Sequence, residues 1–292
     1  MSANTYPTRP GREARAQRLA ANPARTPAAL GLAVLAGCAM LVAGPARADG
    51  DICEGFGPQT PRDITVTSGE NPVTFPMAPP STELNLCNIH FHNAAEHRGP
   101  GFSVAATDGK VGFQCDITAT LTAAERAPYP ANACNGVEPG DTIEMHWVHT
   151  SCDVEPGPGL GSCLSDACAN PSLRVETQIF TVVNDEDALD FADFDYAGPG
   201  AGLAQAKAIP TGTGEPVQFL GSTTGPSFTQ ETCSPLQVSW SVRPQCAKVS
   251  IQSLSRWCEN NVFDEIEAQG VRQLVTDPRL ISPIRTGQAI AP

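Results

Sequence analysis

The sequence has few basic residues for its length. Its 292 residues include 18 Lys and Arg against 31 Asp and Glu, which gives a formal net charge of −13. Six of the arginines and one glutamate lie in residues 1–48, so residues 49–292 hold 12 basic and 30 acidic side chains and a charge of −18. Phosphate backbones and anionic lipids repel such a chain. We therefore expect neither nucleic acid nor an anionic membrane surface as a partner.

Several recurrent binding motifs are also missing. No CxxC pair is present, which argues against a zinc–thiolate cluster. The glycine-rich segments 154–162 and 197–203 do not follow a strand and open a helix, as a phosphate-binding loop does. No internal repeat and no long polar linker divides residues 49–292. These absences argue against nucleotide binding and predict a single domain.

The one notable apolar run, residues 28–44, is too short to favour a membrane span. Five arginines precede it and Ala46-Arg47-Ala48 follows it, a pattern typical of a cleaved signal peptide. We expect residues 1–48 to be a signal peptide and the protein to be exported, to the periplasm or the extracellular space. Residues 35–38 also resemble a lipoprotein cleavage box, and cleavage there would leave a lipidated Cys38 at a membrane. The run continues past Cys38, which favours ordinary secretion.

Cysteine is plentiful after this leader. Ten cysteines remain, and an even number in an exported chain predicts as many as five disulfides. Spacing does not determine how they pair. The positions are 53, 87, 115, 134, 152, 163, 168, 233, 246 and 258.

Short alternating segments dominate the rest of the chain and predict strands. One segment, 253–269, has the spacing of an amphipathic helix at Leu254, Trp257, Val262 and Ile266. We therefore predict a mainly β fold, a single domain over 49–292 with a large, mostly antiparallel twisted sheet and a few peripheral helices. The predicted strands are residues 63–66, 86–92, 112–121, 142–149, 173–183, 217–220, 236–242 and 248–251.

Histidine is scarce, and all five histidines lie within two segments, residues 90–97 and 146–149. His90 and His92 are two apart in a predicted strand, so their side chains leave the same face. His146 could join them from a neighbouring strand. Three histidines and a water form the open tetrahedral site of catalytic zinc, although imidazole also binds cobalt and other divalent ions.

Polar residues stand where they could support these histidines. Glu144 is two residues before His146, and Asn88 is two before His90, so each shares a strand face with its histidine. Acceptors in such positions take the second ring N–H of a metal-bound histidine. Ordinary buried histidines would explain one isolated residue but not this arrangement. The sequence therefore predicts a metal site.

These segments resemble carbonic anhydrases, most closely the delta class, with motifs shared with the alpha class. Residues 88–92 (Asn-Ile-His-Phe-His), the pair Glu96-His97 and residues 144–149 (Glu-Met-His-Trp-Val-His) carry the similarity. Two weaker blocks follow, Gly-Ser-Thr-Thr-Gly-Pro at 221–226 and Val-Ser-Trp at 238–240. The order of the blocks is kept over residues 85–240.

The resemblance implies a role for each matching residue. Zinc would be bound by His90, His92 and His146, with Glu144 and Asn88 accepting outer ring N–H groups. Glu96 would orient a threonine hydroxyl, Thr224 in a gapless match or Thr223 with one deletion, and we favour Thr224. The residues that would form an apolar pocket for carbon dioxide are Val148, Val238 and Trp240.

The implied activity is zinc-dependent reversible hydration of carbon dioxide to bicarbonate and a proton, by a zinc-bound hydroxide. No sixth histidine is present to carry the proton away, so we assign no shuttle residue. The sequence does not indicate an oligomeric state.

Two alternatives stay open. His90, His92 and Glu96 also fit the first metal motif of cupins, with His146 as a later ligand, which would predict a small β-barrel and an iron or manganese oxygenase. The other alternative is a non-catalytic secreted zinc-binding protein on the same scaffold.

Overall fold

A computed structural model describes residue 53 and residues 55–107, 109–223, 228–229 and 231–285. All of them belong to one compact unit, Asp49–Pro292. The predicted signal peptide, Cys38 and Thr224 lie outside the described residues. Within those residues, no helix has the length and apolar character needed to cross a membrane.

Eight strands and one α-helix form the framework of the described residues. Six strands make one sheet in the order β1-β4-β5-β7-β6, with β8 also pairing β5, while β2 and β3 form a separate two-stranded sheet. The strands are β1 (Asn85–His92), β2 (Val104–Ala105), β3 (Phe113–Gln114), β4 (Thr142–Thr150), β5 (Leu173–Val183), β6 (Val217–Ser222), β7 (Gln237–Val242) and β8 (Ala247–Ser250), and the helix is α1 (Ile251–Glu259). Short 3-10 helices span Ser81–Glu83, Asp116–Thr120, Leu160–Cys163, Phe191–Asp193 and Pro278–Leu280.

The large sheet is mixed. β1 with β4, β4 with β5, and β6 with β7 are antiparallel. β5 runs parallel to both β7 and β8. The mainly β prediction is confirmed, and three of the five strand pairings are antiparallel as expected.

The alternation of side chains in β4 explains why the sheet has two different faces. Met145 and Trp147 are fully buried in an apolar cluster that also contains Trp257 of α1. The residues that follow each of them on the strand, His146 and Val148, point to the opposite face. There Val148 belongs to a second apolar cluster. All nine residues of β4 are buried, so the polar side chains on the second face are enclosed by protein.

Three predicted elements are wrong in part. Residues 63–66 form only an isolated bridge, between Asp63 and Arg98. In segment 112–121, only β3 is a strand, and the chain then turns into the 3-10 helix Asp116–Thr120. Segment 253–269 is helical only as far as Glu259.

Asn261 explains the early end of α1. Its side-chain amide donates to the carbonyls of Trp257 and Glu265, and its oxygen accepts from the backbone N–H groups of Phe263 and Glu265. These contacts give the backbone partners that a continued helix would otherwise supply. The apolar spacing continues past this point, but Val262 is 51 % exposed and packs against no core.

Five disulfides lie among the described residues, in agreement with the predicted maximum. They pair Cys53 with Cys233, Cys87 with Cys163, Cys115 with Cys246, Cys134 with Cys258 and Cys152 with Cys168. Four of them join residues more than 70 positions apart, so they connect segments that are distant in sequence.

Candidate metal centre

His90, His92 and His146 lie together on one face of the sheet. His90 and His92 are on β1, and His90 stands directly opposite His146 in the antiparallel pairing with β4. Each ring offers a nitrogen such that the three atoms lie within 4.8 Å of one another, and all three residues are buried. The histidines predicted from spacing are therefore brought together as a group that could hold a metal ion.

Asn88 fixes the ring of His90. The amide nitrogen of Asn88 donates to the carbonyl of Gly157 at 3.0 Å, which turns its oxygen toward the histidine. That oxygen lies 2.6 Å from Nδ1 of His90 and accepts its proton. Nε2 of His90 is therefore the unprotonated nitrogen.

A backbone carbonyl fixes the ring of His92. Nδ1 of His92 lies 3.1 Å from the carbonyl oxygen of Gly270, which can only accept. The same segment continues the edge of β1, because the N–H of Gln269 donates to Phe91 and its carbonyl accepts from Asn93. Sequence reasoning missed Gly270, and a backbone acceptor leaves no side-chain signal that could have identified it.

Glu144 fixes the ring of His146. Its Oε1 accepts from Nε2 of His146 and from Nδ1 of His97, each at 2.8 Å. Its Oε2 accepts from the backbone N–H groups of Glu96 and His97, at 2.7 and 3.1 Å. Burial alone would raise the pKa of Glu144, but the contacts with His97 and His146 outweigh it and hold the pKa well below its usual value. Glu144 is therefore an ionised acceptor.

The inner nitrogen of each ring is consequently unprotonated, and the lone pairs of the three inner nitrogens point toward one another. Nε2 of His90 and Nδ1 of His146 are 3.1 Å apart, yet both ring protons are on the outer nitrogens. Nε2 of His92 is buried and has no hydrogen-bond partner. Burial and the neighbouring rings of His146 and His92 hold the pKa of His90 well below its usual value, so a proton does not relieve the contact.

A metal ion fits this arrangement. Two nitrogens bound tetrahedrally to zinc at 2.0–2.1 Å would be about 3.3 Å apart, close to the separation of the His90 and His146 nitrogens. The donor set is three neutral imidazoles, which suits zinc and also cobalt and other divalent ions. His90, His92 and His146 are the residues that would hold the ion.

A second group, Glu96, Glu144 and His146, also brings potential ligands together. The oxygens of Glu144 already accept four N–H groups, and Nε2 of His146 is one of the donors. This group therefore orients the histidine and does not form a separate open site.

Glu96 is fully buried beside the histidines. Its Oε1 lies 3.5 Å from Nδ1 of His92, and its Oε2 lies 4.0 Å from Nε2 of His146. Thr223 is also buried and lies at the edge of the same pocket, where its Oγ1 is 3.1 Å from Oγ of Ser234. Thr224, the favoured orienting threonine, lies outside the described residues.

The three inner nitrogens open into a pocket of about 70 Å³. Val148 and Trp240 line it, as the resemblance implied, whereas Val238 is buried in the same apolar cluster without lining the pocket. Sequence reasoning missed Leu160 and Val175, which also line it. The alternation of β5 puts Val175 on the pocket face, but only the pairing with β4 shows which face that is.

His97 and His149 stand apart from the three inner histidines. His97 is fully buried and gives its Nδ1 proton to Glu144, so it supports the carboxylate. His149 is on the opposite face of β4, where burial lowers its pKa to about 4. Neither ring lies in the pocket lining.

Comparison with known proteins identifies the class. A protein-family model described as delta carbonic anhydrase matches residues 81–253, which is more than half of the chain. The chain therefore belongs to the delta carbonic anhydrase family, and the expectation of a carbonic anhydrase, a lyase, is confirmed. No curated protein matches the chain. The small barrel expected of a cupin is not formed, because the large sheet of the described residues is open, with β1 and β6 at its ends.

Two solved structures are also similar to the chain. An alpha-carbonic anhydrase from Thermovibrio ammonificans, in complex with the inhibitor sulfanilamide, is 16% identical over 73% of this chain and 84% of that one, with a TM-score of 0.24. The alpha-carbonic anhydrase of Photobacterium profundum is 18% identical over 76% and 88% of the two chains, with a TM-score of 0.26. The family assignment depends on the family model and not on these likenesses.

Proposed function

We propose that this protein catalyses the reversible hydration of carbon dioxide to bicarbonate and a proton, with zinc as its metal. The observation that carries the proposal is the set of three inner histidine nitrogens left unprotonated by their outer acceptors. Such a site binds a divalent cation with neutral ligands and leaves a fourth position open to water. Family membership supplies the reaction class.

A bound zinc ion supplies a Lewis acid that lowers the pKa of its water to about 7. Asn88, Gly270 and Glu144 hold the three rings in the orientation and tautomer that such binding requires. We further propose that Glu96 accepts a hydrogen bond from the hydroxyl of Thr224. The threonine oxygen is then free to accept a hydrogen bond from the attacking oxygen. This pair would select one orientation of the attacking oxygen.

The apolar side of the pocket would hold the substrate. Val148, Val175 and Trp240 present apolar surface next to the histidines. Carbon dioxide has no charge and no hydrogen-bond donor, so an apolar surface retains it and does not retain bicarbonate. Trp240 is held in place because its Nε1 donates to the carbonyl of Ser222 at 3.1 Å.

Proton release would proceed without a histidine relay. All five histidines lie in the described residues, and the two outside the ligand set, His97 and His149, are 0 % and 1 % exposed. Neither can carry a proton to solvent by rotating. We propose that buffer molecules collect the proton at the pocket mouth, which makes turnover dependent on buffer concentration.

We also propose that the protein acts outside the cytoplasm, in the periplasm or extracellular space. Five disulfides among the described residues suit an oxidising compartment, and residues 1–48 have the pattern of a signal peptide. Lipidation at Cys38 would instead attach the protein to a membrane.

Stopped-flow hydration of carbon dioxide by metal-quantified mature protein tests the activity. We expect zinc-loaded protein to exceed the buffer rate and His146→Ala to lose both zinc and activity. His149→Gln is the matched control, since it alters a buried histidine on the other face of the same strand and should keep both. Stoichiometric zinc with hydration equal to buffer would instead support the non-catalytic zinc-binding alternative.

A further inference from the structure

Gln59 lies outside the matched family segment, and its side chain bonds to two residues far along the chain, Ser222 and Ser234. It is fully buried. Its Nε2 donates to the carbonyls of Gly57 and Ser234 at 2.9 and 3.0 Å. Its Oε1 accepts from the N–H of Ser234 at 2.9 Å and from the hydroxyl of Ser222 at 3.2 Å. The amide of Gln59 thus bonds to Ser234 through both its nitrogen and its oxygen, and to Ser222 through its oxygen.

Both of those serines are neighbours of Thr223. Ser222 precedes Thr223 as the last residue of β6. Ser234 contacts it from the loop before β7, with 3.1 Å between the two hydroxyl oxygens. Thr223 itself lines the metal pocket. Gln59 therefore holds both residues next to Thr223, which lies in the pocket lining together with the three histidines.

The neighbouring residue Thr60 strengthens the same attachment. Its hydroxyl donates to the carbonyl of Ser222 at 2.5 Å, and that carbonyl also accepts from Nε1 of Trp240. Because Trp240 lines the pocket and its ring lies 5.1 Å from that of His146, the end of β6 is fixed with respect to the metal ligands.

Arg272 completes the set from the other end of the chain. Its Nη1 donates to the carbonyl of Thr60 at 2.6 Å and lies 3.5 Å from Oε1 of Gln59. Its Nη2 donates to the carbonyl of Thr229 in the loop after β6. Burial lowers the pKa of Arg272, and the charge of Glu96 opposes this shift.

We propose that Gln59 is a positioning residue for the hydration reaction. It holds Ser222 and Ser234, and through them it keeps Thr223 in place in the pocket beside the three histidines. The inference rests on the proposed function. Gln59 contacts none of the histidines, so its loss should change the orientation of the attacking oxygen and not the binding of the metal. A displacement of about 1 Å in such a segment can reduce rate by about a hundredfold.

Two variants separate positioning from folding. Gln59→Leu removes every contact of the amide. Gln59→Glu keeps acceptor oxygens for Ser234 and Ser222 but loses the donors. The matched control is Gln178→Leu, since Gln178 is also fully buried and hydrogen-bonded. Its partners are Thr213, Gln245 and the backbone of Ile179, none of which lines the pocket.

For each variant we would measure zinc content, kcat/KM for hydration, and hydrogen exchange at the amides of Thr223 and Ser234. We expect Gln59→Leu to keep one zinc per chain, to lose about tenfold or more in kcat/KM, and to exchange faster at both amides. Gln59→Glu should fall between it and the wild type, and it carries the test if Gln59→Leu does not fold. Gln178→Leu should keep wild-type kcat/KM and exchange.

Wild-type kcat/KM in both Gln59 variants would overturn the inference. So would a loss of zinc in parallel with activity, since the residue would then act on the ligands. Failure of the proposed function is distinguishable, because it would appear as absent hydration in zinc-loaded wild-type protein. In that case unchanged exchange at Thr223 and Ser234 in the variants would also overturn the structural part of the inference.

Discussion

At the scale of single residues, the three inner histidines differ in the atom that fixes each ring. His90 donates to an amide oxygen, His92 to a backbone carbonyl and His146 to an ionised carboxylate. A charged acceptor makes a stronger hydrogen bond than a neutral one and adds electron density to the ring. We therefore expect Glu144 to contribute more to metal affinity than the other two acceptors do.

Replacing Glu144 by Gln should weaken zinc binding by about 10- to 100-fold. The amide would present a donor to a position that now accepts four N–H groups, and it would carry no charge. Competition with a chelator measures the affinity. Asn88→Ala should cost less, because Asn88 is neutral and supports one ring only. An unchanged affinity in Glu144→Gln would contradict this account of the site.

The threonine assignment can be decided by two single variants. Thr224→Ala should reduce kcat/KM by about a hundredfold with zinc retained, since it would remove a group that orients the reacting oxygen. Thr223→Ala should have a smaller effect, because its Oγ1 is 3.1 Å from the hydroxyl of Ser234. Stopped-flow hydration of carbon dioxide shows which of the two variants loses more kcat/KM. The reverse order would assign the role to Thr223.

Sequence reasoning could reach much of this site because strand side chains alternate. HxH spacing predicted that His90 and His92 share a face, and the same rule predicted Asn88 and Glu144 as acceptors for their histidines. It could not reach Gly270, whose contribution is a backbone oxygen 178 residues away from His92 in sequence. Contacts of this kind depend on the path of the chain and leave no pattern of residue types.

At the scale of elements, the end of β6 is packed closely against its neighbours at Gly221. An added Cβ on Gly221 would lie 2.3 Å from Cγ2 of Thr60 and 2.8 Å from Cδ1 of Trp240. Glycine is therefore needed at position 221 so that β6 can approach both Thr60 and Trp240. The strand's position against the site depends on this contact.

Gly221→Ala should destabilise the fold by about 1–3 kcal/mol, the usual cost of overpacking. It should also lower kcat/KM, because relief of the contact would displace Trp240. Denaturant unfolding and the hydration assay test the two effects. Gly200→Ala is the control, since its added Cβ would meet nothing within 4 Å. Equal stability of the two variants would refute the close contact.

The elements themselves were predictable to different degrees. β5 was predicted at its observed bounds, because a run of eleven residues without glycine or proline, rich in β-branched side chains, lies between turn residues. The direction of its neighbours was not predictable, since alternation is the same in parallel and antiparallel pairs. The end of α1 was missed because Asn261 stops the helix through side-chain hydrogen bonds while the apolar spacing continues.

At the scale of the whole molecule, a buried ionic group lies on the sheet face opposite the metal site. Glu176 accepts from Nε of Arg174 at 2.6 Å and from Nη1 of Arg243 at 3.2 Å. Burial would raise the pKa of Glu176, but the two guanidinium groups lower it. His149 is buried in the same region, and its burial lowers its pKa to about 4 from an ordinary value of 6.5.

This histidine should make stability fall with acidification. Between pH 6.5 and about 4, His149 is protonated in the unfolded chain and neutral in the folded protein. Its contribution to the free energy of unfolding is therefore complete above pH 6.5 and decreases as the pH falls. At pH 5 the loss from this residue should be about 2 kcal/mol. The difference in unfolding free energy between pH 7.5 and 5.0, measured in metal-free protein, should therefore be smaller in His149→Gln. Equal differences in the two proteins would show that His149 is not the cause.

The central claim is that one metal ion, bound by His90, His92 and His146, creates the hydration activity. The most direct measurement is a titration of metal-free protein with zinc while carbon dioxide hydration is followed by stopped flow. We predict that activity rises linearly and stops rising at one zinc per chain, and that His146→Ala shows no rise. Activity that is independent of zinc, or zinc binding at this stoichiometry without hydration above buffer, would contradict the claim.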